Sequence, residues 1–322
     1  MRKAGAGLLA AAIAVLLISS CASVEPRSPG GTRRLSSYSP ALEGDPADAP
    51  VTILDSGRPG GTLLVVGGTH ANEIAGIAAA TMIAELAVPE KGRIIVIPYL
   101  NSSGLDYADA TYSRPSRRRL RLDAASGTRY LRYGSRFVRP EGRGLPPGDI
   151  NRAYPGLEDG ALAQRVAAAV MALLDLERVD VAIDLHEAGP DSRLGWTIVA
   201  NPKDVGIAAL AVLGLEDEGI DMGLEQSSEA SRGMSHREWG DRSAAAAFMV
   251  ETINPAQAYA GDAAVDQLRH RDYPLWARVA VHLEAVRAIV DAYNAAYPER
   301  GILYDGLPGY GDLESRGLEQ FF

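Results

Sequence analysis

Five short apolar runs mark the chain: Leu63–Val66, Arg93–Tyr99, Val179–Leu185, Trp196–Ala200 and Ala245–Val250. Each is apolar at nearly every position, the pattern of a strand buried on both faces rather than one with a wet side. Between them lie longer segments, 73–87, 159–177, 204–214 and 274–297, where apolar residues recur with the 3.6-residue period of a helix. This alternation predicts an α/β fold: a three-layer sandwich with a mixed, largely parallel central sheet and helices on both faces. In such sheets, sites form outside the carboxyl ends of the strands.

Between Asn101 and Arg152 the regular pattern stops. Eleven arginines fall between residues 114 and 152, against Asp106, Asp109, Asp123 and Glu141 before Asp149. Two readings stand: a solvated surface loop, or a loop near a site mouth whose charge attracts anionic substrates. The net charge of −9 argues against a nucleic-acid partner.

The amino terminus reads as an export signal. Arg2 and Lys3 precede an apolar stretch from Leu8 to Ile18, and Ile18-Ser19-Ser20 leads into Cys21. The stretch is shorter than the roughly 20 residues a membrane span needs. Cys21 is the only cysteine of the chain, and its setting resembles the lipobox of a bacterial lipoprotein. Lipid on Cys21 makes the membrane contact a lipid anchor only. With no Asp after Cys21, the expected place is the bacterial cell envelope, at the outer membrane facing the periplasm. A lipidated Cys21 leaves no thiol, so any metal must be held by His and carboxylate. Residues 22–48, rich in Ser, Pro, Gly and Arg, read as a flexible linker.

The candidate chemistry sits at the ends of the apolar runs. His70 and Glu73 lie in Gly67-Gly68-Thr69-His70-Ala71-Asn72-Glu73, directly after the first. His186 ends the third, in Asp184-Leu185-His186, and Glu251 ends the last. Imidazole nitrogen and carboxylate oxygen are ligands for Zn²⁺, and three of them leave a position open, as catalysis requires. One Zn²⁺ on His70, Glu73 and His186 is the expected cofactor. Glu251, charged at the end of an apolar run, is the candidate general base for the attacking water. In Asp149-Ile150-Asn151-Arg152, an Arg fork with the adjacent Asn amide suits a substrate carboxylate. Asp149 is the candidate carboxylate behind a metal-binding His. No Gly-x-Ser-x-Gly serine elbow occurs, and His270 and His282 read as structural or exposed.

Together, in order and rough spacing, these motifs resemble the zinc carboxypeptidase superfamily. The wording Gly-Gly-Thr-His-Ala-Asn-Glu and Asp-Ile-Asn-Arg-Ala-Tyr-Pro-Gly is most similar to its succinylglutamate desuccinylase/aspartoacylase branch, over residues about 60 to 255. The resemblance implies the same ligand set and base, with Asn151 and Arg152 on the substrate carboxylate. It also implies an oxyanion-binding Arg upstream, for which Arg136, Arg139 and Arg143 compete and Arg143 is the choice. After Glu251 the sequence predicts a long helix and a Gly-rich tail, where that branch continues into a β-rich domain.

The resulting division is a signal peptide over 1–20, a lipidated Cys21 and linker over 21–48, a zinc hydrolase domain over 49–300, and a tail over 301–322. The expected activity is hydrolysis of an amide in a small peptide or cell-wall-derived substrate with a free carboxylate. The alternatives are deacylation of an N-acyl amino acid and a non-catalytic binding lipoprotein on the same fold. The oligomeric state is not legible.

Overall fold

In the computed structural model, residues 30–102, 119–124, 127–132, 149–257 and 267–321 are described. Cys21 and Arg143, with Arg136 and Arg139, lie outside them. The centre is an eight-stranded sheet in the order β1-β2-β5-β3-β8-β11-β9-β10. Its middle four strands are β5 (Arg93–Ile97), β3 (Thr62–Gly67), β8 (Val181–Ala188) and β11 (Ala246–Ile253), all mutually parallel. On one side, β2 (Pro50–Asp55) and β1 (Gly31–Arg34) add antiparallel. On the other, β9 (Thr197–Ala200) runs antiparallel to β11, and β10 (Gly223–Gln226) runs parallel to β9. The sheet is therefore mixed and parallel at its heart, so β3, β8 and β11 deliver their carboxyl ends to one edge.

Two apolar layers close over the sheet. One face packs against α1 (Ile74–Leu86), α3 (Val205–Asp217) and α5 (Leu275–Ala296), through Leu63, Val65, Ile183, Phe248 and Val250. The other packs against α2 (Leu162–Leu176) and Trp239 of α4 (Ser235–Arg242), through Leu64, Val66, Ala182 and Ala247. Alternate residues of one strand thus enter different cores, which is why those runs are apolar throughout. No helix among the described residues is long and apolar enough to cross a membrane.

Three stretches differ from the sequence expectation. The linker reading of 21–48 fails from Gly31 onward. There β1 pairs with β2, and Leu35 and Leu42 are fully buried. Asp48 accepts hydrogen bonds from Arg34 Nε at 2.9 Å and Ser36 N at 2.8 Å, so buried leucines and one bridging carboxylate outweigh the loop-like composition. Within the Arg-rich segment, β6 (Arg119–Ala124) and β7 (Gly127–Arg132) form an antiparallel pair, matching the period-2 alternation of Arg119-Leu120-Arg121-Leu122. The tail also folds. There β12 (Leu303–Asp305) pairs with β4 (Val88–Lys91), and α6 (Tyr310–Arg316) and the turn after it bury Leu313 and Leu318.

Candidate metal centre

His70, Glu73, His186 and Glu251 all reach one end of the sheet. The turn after β3 takes its shape from Gly68, whose φ of +64° is the left-handed region that suits glycine. Leu100 N and Asn101 N donate to Gly67 O and Gly68 O at 2.9 Å each and pin the turn. Gly76 then lets α1 lie hard against β8, since a Cβ there would meet Leu185 O at 2.5 Å. That close approach carries Glu73, at the start of α1, to His186.

The three side chains converge. Glu73 Oε1 lies 2.8 Å from His70 Nδ1, and Glu73 Oε2 lies 2.9 Å from His186 Nδ1. The rings meet edge to face with centroids 4.9 Å apart. One ligand atom from each of the three residues falls within 4.8 Å of the others, a group that can hold a metal ion. Each imidazole also has a carboxylate behind it. His70 Nε2 is 3.1 Å from Asp149 Oδ1. His186 Nε2 is 2.9 Å from Asp184 Oδ2, although off the line of a hydrogen bond. Asp184 is fully buried and its other oxygen accepts from Thr69 Oγ1 at 2.8 Å. Asp149, expected from the sequence behind a metal-binding His, stands behind His70, and Asp184 behind His186 is an addition to the expected residues. The signal was present: Asp184 stands two residues before His186 on a strand, hence on the same face.

The charges are strongly coupled. Desolvation alone would lower the His70 pKa, but Glu73 and Asp149 outweigh it and push the ring up to about 10. Burial likewise opposes protonation of His186, yet Asp184 and Glu73 raise it well above its usual value. The two imidazoles hold the Glu73 carboxyl far below the ordinary range against the effect of its burial. Glu251 stands in register with His186 across the β8–β11 pair and is buried. Burial pushes its carboxyl up to about 8; His186 and His70 pull it down, while Glu73 and Asp184 push it up. Its Oε2 has no hydrogen-bond partner among the described residues.

Asn151 and Arg152 part company. Asn151 is buried, its amide oxygen accepting from Ser235 N at 2.8 Å and its NH₂ facing Met249 Sδ at 3.8 Å. It braces the start of α4 against β11 and does not present its amide to solvent. Arg152 does point outward. Its side chain is 55 % exposed, with Nη1 donating to Asn151 O at 2.7 Å and lying 3.9 Å from Asp149 Oδ2. The buried His236 stands nearby with neither ring nitrogen bonded among the described residues. Burial and the positive charge of His186 lower its pKa to about 4.

The model of the succinylglutamate desuccinylase/aspartoacylase catalytic domain matches residues 59–266, a span that holds every residue of this cluster. The chain belongs to that family. Among curated proteins it is similar to the N-alpha-acetyl-L-2,4-diaminobutyric acid deacetylase of Halomonas elongata. The two are 27 % identical over 142 residues, covering 44 % of this chain and 32 % of that protein. Among solved structures it shares its fold with the apo cell shape determinant Csd4 of Helicobacter pylori. The TM-score is 0.53 at 15 % identity, covering 82 % of this chain and 58 % of that one. The tripeptide-bound form of Csd4 aligns with a TM-score of 0.51 at 14 % identity, over 82 % and 59 % of the two chains. This chain thus spans about a third of the curated relative and under two thirds of the solved neighbours.

Proposed function

We propose that this protein is a zinc-dependent amide hydrolase for small substrates that carry a free carboxylate. The observation that carries the reading is the convergence of His70 Nδ1, His186 Nδ1 and both oxygens of Glu73, with Glu251 in register beside them. The donor set fits the ion. Two imidazoles and a carboxylate suit zinc, and each ring has a carboxylate at its distal nitrogen, the usual arrangement behind a metal-binding histidine. His70, Glu73 and His186 would hold one Zn²⁺, which when bound polarises a carbonyl and lowers the pKa of its water.

The chain's own residues do the rest. Glu251 accepts a proton from the attacking water and passes it to the departing amine, a shuttle suited to its place in register with His186 and its unbonded Oε2. Asp149 and Asp184 fix the orientation of the two rings. Arg152 supplies the guanidinium fork for the substrate carboxylate. Asn151 acts through Arg152, whose guanidinium donates to its carbonyl.

Peptide substrates are the first reading, favoured by the signal-like amino terminus and by the fold shared with Csd4. Anchoring through Cys21 at the outer membrane, facing the periplasm, belongs to the same proposal. Deacylation of an N-acyl amino acid is the second, favoured by the family and by the similarity to the Halomonas deacetylase. Hydrolysis assays on the zinc-loaded protein with short peptides and N-acetyl amino acids separate them. Release of a carboxyl-terminal residue from peptides is the expected result. Turnover of acyl amino acids alone selects the second reading. Absence of turnover on both, with zinc bound, leaves a binding protein.

A further inference from the structure

Glu73 occupies the N-cap position of α1, where a side-chain oxygen ordinarily turns back onto the first free N–H groups of the helix. It makes no such bond, because both its oxygens face the imidazoles. The N–H of Ala75, in the first turn, is nevertheless satisfied. It donates to Glu187 Oε2 at 3.0 Å, on the strand β8 and one residue after His186. Since successive strand residues point to opposite faces, Glu187 reaches α1 from the α5 side of the sheet. The same Oε2 accepts from Asn254 Nδ2 at 3.3 Å, and that amide also bonds Asn72 O at 3.3 Å. Gln257 Nε2 joins Glu187 O at 3.1 Å and reaches Glu73 Oε1 at 3.4 Å. Arg278 of α5 bonds Glu187 Oε1, and both side chains are fully buried.

We propose that Glu187 is a positioning residue: it caps α1 in place of Glu73 and so frees the Glu73 carboxylate to face the two histidines. The inference rests on the metal site proposed above. A first-turn N–H left without an acceptor in this buried setting would draw the nearest carboxylate, and Glu73 is attached to the same turn. Arg278 then has a definite part. It neutralises Glu187, so the cap can be a carboxylate without adding charge to the site.

The test compares two folded, charge-free versions of the pair. Arg278→Met with Glu187→Gln removes both charges and keeps an acceptor for Ala75 N–H. Arg278→Met with Glu187→Leu removes the acceptor as well. Zn²⁺ affinity is read by titration against a competing chelator, with circular dichroism to confirm folding. The Gln pair should bind Zn²⁺ within about threefold of wild type, and the Leu pair about 10–100-fold more weakly. Equal affinities of the two, with wild type binding zinc, overturn the cap and leave the metal site standing. A wild type that binds no zinc overturns both. Amide exchange on wild type keeps the proposal falsifiable if the Leu pair does not fold. Relative to its α1 neighbours, Ala75 N–H should be equally protected with and without Zn²⁺. Protection that changes with zinc would show that Glu73 had been the cap.

Discussion

At the end of β8, His186 faces the α2 and α4 side of the sheet and Glu187 faces α5. On the His186 side, Glu73, Asp149, Asp184 and Glu251 gather around two imidazoles, and Arg152 touches the group only at 3.9 Å from Asp149. On the Glu187 side, one carboxylate meets one guanidinium, both fully buried, and His282 bonds Thr252 at 3.1 Å. The second face is closed electrostatically: each charge has its opposite and nothing further is required. On the first, one ligand atom each from His70, Glu73 and His186 converges, a group that can hold a metal ion. Neighbouring positions on one strand thus differ: Glu187 ties α1 and α5 to the sheet, and His186 joins the cluster that can hold a metal ion.

The largest expected effect on the open face is at Glu251. Glu251→Gln should keep its zinc and lose roughly 10²–10⁴-fold in kcat. Wild-type turnover by the purified variant would assign the proton transfer elsewhere. The next effect concerns Arg152, whose guanidinium lies 3.9 Å from Asp149 at the open face. Blocking the substrate carboxylate as an amide should cost about 1.5–3 kcal/mol in kcat/KM, the range for a charged hydrogen bond. Arg152→Ala should cost a similar amount on the free acid and little more on the blocked substrate, because both changes remove one contact. Additive losses would make Arg152 structural.

Asp184→Asn removes charge from behind His186 while leaving an acceptor for Thr69. Zinc affinity should fall about 10–100-fold with the fold intact, and unchanged affinity would mean that Asp184 serves packing alone.

On the closed face the effect at His282 appears in stability rather than in turnover. Burial, with Arg278 adding to it, lowers the His282 pKa to about 3 from an ordinary 6.5. The ring is neutral when folded and takes a proton when unfolded. Its contribution is therefore fully present above pH 6.5 and is lost as pH falls toward 3. His282→Gln should flatten the pH dependence of urea unfolding between pH 6 and 4 by about 1.4 kcal/mol per pH unit. Parallel curves for variant and wild type would contradict a buried neutral ring.

Much of the open face was legible in the sequence. The runs ending at Val66, Leu185 and Val250 became strands ending at Gly67, Ala188 and Ile253, so His70, His186 and Glu251 could be placed at strand ends from pattern alone. The closed face was not legible. Glu187 next to His186 reads as one more acid, and Arg278 lies 91 residues away on a helix whose period says nothing about its partner. Helix α4 escaped for a related reason: Ser235-His236-Arg237-Glu238-Trp239 shows no apolar stripe, yet all five are buried. Its charges are met by Arg237–Asp241 at 2.9 Å and Arg242–Glu238 at 2.6 Å, and by Asn201 Nδ2 bonding Asp241 at 2.9 Å. Tertiary pairing of polar groups leaves no periodic trace. The segment at 31–48 hid in the same way, since a few buried leucines among Ser, Pro and Gly do not form a period.

The claim that the open face is completed by a cation is tested most directly by metal analysis. Purified full-length protein, stripped and then titrated with Zn²⁺, should take up one equivalent per chain, and His70→Ala and His186→Ala should each lose that uptake while remaining folded. Full zinc occupancy in both variants, or none in the wild type, would contradict it.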